Sequence, residues 1–173
     1  MSYWRPVSQS RKDEEETPAV DIVCVDGSEG ADRAMQFALR ETPPDHRLML
    51  LFGAYVPHKE ELSWGTFSVS SMREGHYWDK ELPDVYIKYT DMCQKAGRKC
   101  DFIHFHFDRM SKFGDSVCSI ADRHHAQNVI LARRRRSERS FLGRFLGSGS
   151  QAVVDRCGDI PITLVTVKPD ESK

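Results

Sequence analysis

Long apolar runs are missing from this sequence: no stretch approaches the ~20 residues that a membrane-spanning helix needs, so no membrane helix is expected. The opening MSYWRPVSQSRKDEEE lacks the apolar centre of a secretory leader, and neither a signal peptide nor an anchor is read there. Cysteine is sparse. Cys24, Cys93, Cys100, Cys118 and Cys157 make an odd number with no C-x-x-C pair, which argues against a disulfide framework or a zinc knuckle. They are read as small core residues of a protein from a reducing compartment, with the cytoplasm expected and a ciliary or nuclear site left open. Excess charge of either sign is also missing: 25 Lys and Arg against 26 Asp and Glu give a formal net charge of −1. That balance removes any global electrostatic case for binding nucleic acid or an anionic membrane. Catalytic signatures are absent too. There is no G-x-S-x-G elbow, no Cys–His pairing with a local signature and no carboxylate pair spaced for acid–base work, so turnover is not expected and a weak ATPase ranks last.

What is present is enough for one globular domain. A chain of 173 residues with 39% hydrophobic and 29% charged residues can bury a core and is neither disordered nor fibrous. Residues 1–18 have turn and charge composition ending in Asp13-Glu14-Glu15-Glu16 and Pro18, and are read as a tail. Tyr3 and Trp4 are unusual in such a leader, since large aromatics tend to cover a surface, and they suggest docking on another protein. The domain is assigned to residues 19–168, with a polar tail at 169–173.

Within it, Val20-Asp21-Ile22-Val23-Cys24-Val25 is a nearly continuous β-branched run, as in a strand buried on both faces. It stops at Asp26-Gly27-Ser28, and Ser28 is placed to cap a helix with Ala31, Ala34, Met35 and Ala38 on one stripe, ending near Thr42-Pro43-Pro44. Leu48–Phe52 predicts a second strand, and 58–80 a polar excursion containing Trp64, Phe67 and Trp78. A helix follows with Leu82, Val85, Tyr86, Tyr89, Met92 and Cys93 facing inward and Gly97 as its stop. Phe102–Phe107 alternates, with Ile103, Phe105 and Phe107 on one face and His104 and His106 on the other. A helix from about Asp115 to His125 carries Val117, Ile120, Ala121 and His124 in register, and Asn128–Ala132 predicts the fourth strand. Gly147-Ser148-Gly149-Ser150 opens a last helix with Ala152, Val153 and Cys157, closed by Gly158, before a strand over Ile160–Val167.

The order β-α-β-α-β-α-β-α-β predicts an open parallel sheet with helices on both faces and right-handed crossovers. Ligands of such sheets sit beyond the carboxyl ends of the strands where the strand order reverses. That locates function at Asp26, at the end of the second strand and in the Arg133–Gly149 loop.

Val25-Asp26-Gly27-Ser28 at a strand end, Glu29-Gly30-Ala31 opening a helix, and Gly147-Ser148-Gly149-Ser150 followed by a helix and Ile160–Val165 together resemble the universal stress protein family. The resemblance covers roughly residues 19–168. It implies a Rossmann-like five-stranded sheet in order 3-2-1-4-5, often a two-fold dimer through the last strand, here Ile162–Val167, and a site for ATP or AMP. Carried over residue by residue, that site takes in Cys24, Val25, Asp26 and Gly53, with Arg134, Arg136, Ser137, Gly147, Ser148, Gly149 and Ser150 around the phosphates. Asp26 would accept hydrogen bonds from the adenine or ribose.

Family members that bind ATP hold the phosphates on a loop of pattern G-x2-G-x9-G-S/T, where bare backbone N–H groups approach the anion. Here Gly147-Ser148 fits the end of the pattern, but counting back puts Arg134 and Ser137 at the first two glycine positions, and counting from the strand puts Ala132 and Arg135 there. Neither register supplies a glycine. Either the guanidinium groups of Arg133–Arg136 and Arg139 bind phosphate themselves, or the site is degenerate, which is the reading preferred here. The resemblance thus points to a regulatory or binding module in a stress response. The alternative is a scaffold subunit of a larger assembly, for example ciliary, contacting it through the tail, the 58–80 segment and the arginine loop. The arginine run also matches a basophilic kinase site at Ser137 and a short basic patch, but it lacks the interleaved aromatics of a nucleic-acid surface. His104 and His106 have the i, i+2 spacing of some metal pairs without a third ligand in sequence, so no metal is expected.

Overall fold

The computed structural model describes residues 18–56, 77–133 and 149–166. The tail, most of the 58–80 segment, the arginine loop and the C-terminal residues lie outside these. The elements are β1 (Val20–Cys24), α1 (Glu29–Glu41), β2 (Arg47–Tyr55), α2 (Tyr77–Lys95), β3 (Cys100–Phe107), α3 (Met110–Arg123), β4 (Ala126–Arg133), α4 (Gly149–Arg156) and β5 (Ile162–Thr166). All pairings are parallel, as the alternation of elements predicts, and the strand order is β3-β2-β1-β4-β5, as the family resemblance implies.

Strand side chains alternate between faces, so a sheet covered on both sides sorts its residues into two cores. On one face Val23, Leu48, Leu50, Phe52 and Ile130 pack against Ala34, Met35 and Ala38 of α1 and Val85, Tyr89 and Cys93 of α2. On the other, Ile22, Met49, Leu51, Val129 and Leu131 meet Val117 and Ala121 of α3 and Val153 of α4. This two-sided burial is the physical source of the continuous apolar runs read in the sequence. Among the described residues, no helix is long and apolar enough to cross a membrane.

The helix ends follow the capping expectations, with differences. Ser28 caps α1, its Oγ accepting from the Ala31 N–H at 3.2 Å. At the other end the Arg98 guanidinium donates to the carbonyls of Thr42 (3.1 Å), Pro43 (2.8 Å) and His46 (3.2 Å) and to Thr42 Oγ1 (3.0 Å). It thereby satisfies acceptors that the end of α1 leaves open. The second helix begins at Tyr77, earlier than Leu82, with Pro83 in its first turns. Tyr86, assigned to its buried stripe, is 47% exposed, its ring edge-on to Phe102 at the sheet margin. The third helix begins at Met110 rather than near Asp115, and His124 is its exposed C-cap rather than part of the stripe.

The expectation against disulfides is overturned, while Cys93, Cys118 and Cys157 are buried core residues as read. Cys93 is joined to Cys100, and Cys118 to Cys157, leaving Cys24 as the free thiol. Cys93 ends the buried stripe of α2 and Cys100 opens β3, so the turn at Gly97 brings their Cα atoms to 6.2 Å. Cys118 and Cys157 approach to a Cα separation of 5.1 Å because α3 and α4 pack side by side over the same face. A rule based on C-x-x-C spacing and even counts does not see pairs made by tertiary contact.

Candidate functional site

A cleft opens at the carboxyl end of the sheet, between β1 and β4, where the chain order reverses. Its walls include Cys24, Val25, Asp26 and Ser28 from the β1–α1 turn, Gly53 from β2, Leu131 and Ala132 from β4, and Gly149 and Ser150 from the first turn of α4. The rule that open α/β sheets bind ligands at the switch point is therefore met by a real concavity.

The β1–α1 turn is held by α2. Gly27 has φ +79°, a conformation that favours glycine, and a Cβ there would lie 3.2 Å from Val85 Cγ2. Lys88 Nζ reaches Gly27 O at 3.4 Å and donates to Asp32 at 2.7 Å, while the buried Tyr89 hydroxyl donates to the same carboxylate at 2.8 Å. Burial first, then the Asp32 carboxylate, pushes the Tyr89 phenol up, so it stays a neutral donor. With the turn fixed, Asp26 Oδ1 accepts from the Ser28 N–H at 3.0 Å. Cys24 lines the cleft, but burial, aided by the Asp26 charge, pushes its thiol up to about 12, which leaves it inert as a nucleophile.

The opposite wall is aromatic. A Cβ built on Gly53 would lie 3.0 Å from Phe105 Cζ and Phe113 Cε2 and 3.1 Å from Phe107 Cε1, so three phenyl rings rest on this bare backbone. Phe113 packs against Phe105 at a centroid distance of 5.8 Å and against Phe107 at 5.1 Å. The same ring reaches across to Gly149, where Cε1 would stand 3.5 Å from an added Cβ. The cleft is correspondingly narrow, about 90 Å³, against ~300–1,000 Å³ for a typical small-molecule pocket.

Of the residues assigned to the site from sequence, Cys24, Val25, Asp26, Gly53, Gly149 and Ser150 line this cleft. Arg134, Arg136, Ser137, Gly147 and Ser148 lie outside the described residues. Arg133 is exposed at the end of β4 and is not among the lining residues. Phe107 and Phe113 were missed. Phe113 stands four residues before Val117, so extending the stripe of α3 backwards by one turn would have found it. His104 and His106 sit on the edge strand β3 with their rings edge-on at 4.5 Å. Among the described residues no group of three metal-ligating side chains forms.

No protein-family model and no curated protein matches the chain. Solved structures do. A universal stress protein family member from Burkholderia pseudomallei is 14% identical with a TM-score of 0.59, over 85% of this chain and 95% of that one. One from Arabidopsis thaliana, with AMP bound, is 18% identical with a TM-score of 0.56, over 90% and 97%. The Archaeoglobus fulgidus universal stress protein in complex with dAMP is 14% identical with a TM-score of 0.56, over 86% and 97%. The fold of this chain is that of the universal stress proteins.

Proposed function

We propose that the chain is a nucleotide-binding-fold module that takes an adenine nucleotide, ATP or AMP, in this cleft, weakly and without turnover. The observation that carries the reading is the convergence of Asp26, at the end of β1, with Gly149 and Ser150, in the first turn of α4, on one cleft. A carboxylate at one side offers acceptors to a base or ribose, and a helix N-terminus at the other favours phosphate. The similar Arabidopsis and Archaeoglobus proteins hold AMP and dAMP. Weakness follows from the absence, in either register, of the first two glycines of the phosphate loop, and from the narrowness of the cleft. Binding without turnover suits a lining in which, among the described residues, Asp26 is the one carboxylate and Cys24 is unreactive.

Calorimetric titration with ATP and with AMP tests this. The expected result is saturable binding, lost in Asp26→Ala and weakened by salt, with no phosphate released from ATP. Absence of saturable heat for either nucleotide would overturn it. We also propose that the chain dimerises through β5, an edge strand that exposes Leu164. Light scattering should give twice the monomer mass and Leu164→Asp should return it to the monomer.

A further inference from the structure

We propose that Phe113 sets the capacity of the cleft: its ring occupies the space a purine nucleotide needs, and nucleotide enters only when the ring is displaced. The inference rests on the adenine-nucleotide reading above and names what limits affinity at that site.

The ring lies between two glycine backbones, Gly53 at the end of β2 and Gly149 at the start of α4. It therefore reaches from the aromatic wall opposite Asp26 to the helix end assigned to phosphate. Absence of a Cβ at Gly53 makes room for the ring, which meets Gly149 at ordinary contact distance. With the ring in place the free volume is about 90 Å³, below the ~300 Å³ at the small end of ligand pockets. Phe113 is only partly buried, and it packs on Phe105 and Phe107 and against the apolar core of that face of the sheet. Its support is thus apolar, and no hydrogen bond opposes a change of rotamer.

Displacement costs the packing of the ring on its neighbours, and that cost appears as reduced apparent affinity. A binding-competent state populated at about 10% weakens the apparent affinity about tenfold, and shortening the side chain removes that factor. A ligand that needs the helix end alone does not require the ring to move.

The test is titration of AMP and of inorganic tripolyphosphate into the wild type, Phe113→Ala, Phe113→Leu and Phe113→Trp, with folding checked by circular dichroism. AMP affinity is expected to rise about tenfold in Phe113→Ala, less in Phe113→Leu, and to fall in Phe113→Trp. Tripolyphosphate affinity should not change. Should Phe113→Ala fail to fold, Phe113→Leu, which keeps apolar contact with Phe105 and Phe107, carries the comparison. A wild type that binds ATP saturably but takes up AMP only once the ring is shortened supports the proposal in its strongest form. Weaker AMP binding in both smaller variants would overturn it, because the ring would then be a surface on which the base stacks. Equal AMP binding by all four proteins would overturn it while leaving the nucleotide reading intact. If none binds AMP, the nucleotide reading fails and the proposal falls with it.

Discussion

Opening the bond between Cys118 and Cys157 should cost this protein a large part of its stability. The two residues are 39 apart in sequence, and the other pair, Cys93 and Cys100, only 7 apart. In the chain-entropy description, a cross-link stabilises by restricting the unfolded chain, and the effect grows with the logarithm of loop length. For these separations it amounts to roughly 4 kcal/mol for the long loop and roughly 2.5 kcal/mol for the short one. The loops do not overlap in sequence, so the two contributions should add. For a chain of this size, 1 kcal/mol moves the melting temperature by about 2–4 °C, so the long-loop bond alone is worth about 8–16 °C. The assay is thermal unfolding of wild type, Cys118→Ala/Cys157→Ala and Cys93→Ala/Cys100→Ala, each with and without a phosphine reductant. Mass spectrometry after alkylation in denaturant counts the thiols. The long-loop variant should melt lowest, and reductant should lower the wild type below either variant. Two outcomes would refute the reasoning: five alkylated thiols in the unreduced protein, or closed bonds whose opening leaves the melting temperature unchanged.

Other consequences can be checked with the same protein. Arg98→Ala removes the guanidinium from five acceptors around the end of α1 and should cost about 2–3 kcal/mol in urea unfolding, because hydrogen bonds from a charged donor are the stronger kind. Cys24, raised from 9.0 to about 12, and Tyr89, raised from 10.0, both hold their protons more tightly when folded. Their contribution is therefore full below about pH 9, where the unfolded groups are also protonated, and is lost as pH climbs through the folded values. The melting temperature should fall above pH 9, and Cys24 should resist iodoacetamide at pH 8 until the protein unfolds. Gly114→Ala would set a Cβ 2.4 Å from Ala152 O, pushing α3 off α4. The expected loss is about 1–3 kcal/mol by overpacking, read by denaturant unfolding, with AMP affinity changed in step.

Much of the fold is legible because a sheet covered on both faces writes itself as short continuous apolar runs. Val20–Val25, Leu48–Phe52 and Asn128–Ala132 are such runs, and the helices between them carry 3.6-residue stripes with visible caps at Ser28 and Gly97. Strand order then follows from the universal stress resemblance and from the handedness of crossovers. The site is legible where it depends on the turn after a strand: Asp26 stands where the switch-point rule puts it. It is not legible where it depends on what packs beside that turn. Cys118 is an ordinary small apolar residue of α3 and Cys157 one just past the end of α4, and only the close approach of α3 and α4 makes them a pair.

Glycine shows the same limit from the other direction. In sequence, a glycine at a strand end or before a helix reads as room for a phosphate, because bare backbone N–H groups can then face an anion. At Gly53 the room is taken by the rings of Phe105, Phe107 and Phe113, the last of which also lies in contact with Gly149. At Gly114 it is taken by a helix backbone, since Ala152 O would stand 2.4 Å from an added Cβ. All three satisfy one local condition, the absence of a Cβ, and the chain alone carries no sign of what fills the space. The filling is decided by α3, whose Phe113 and Gly114 are neighbours in sequence, so one element both narrows the cleft and docks against α4. A change that moves α3 should therefore alter stability and nucleotide affinity together, whereas a change confined to the Phe113 side chain should separate them.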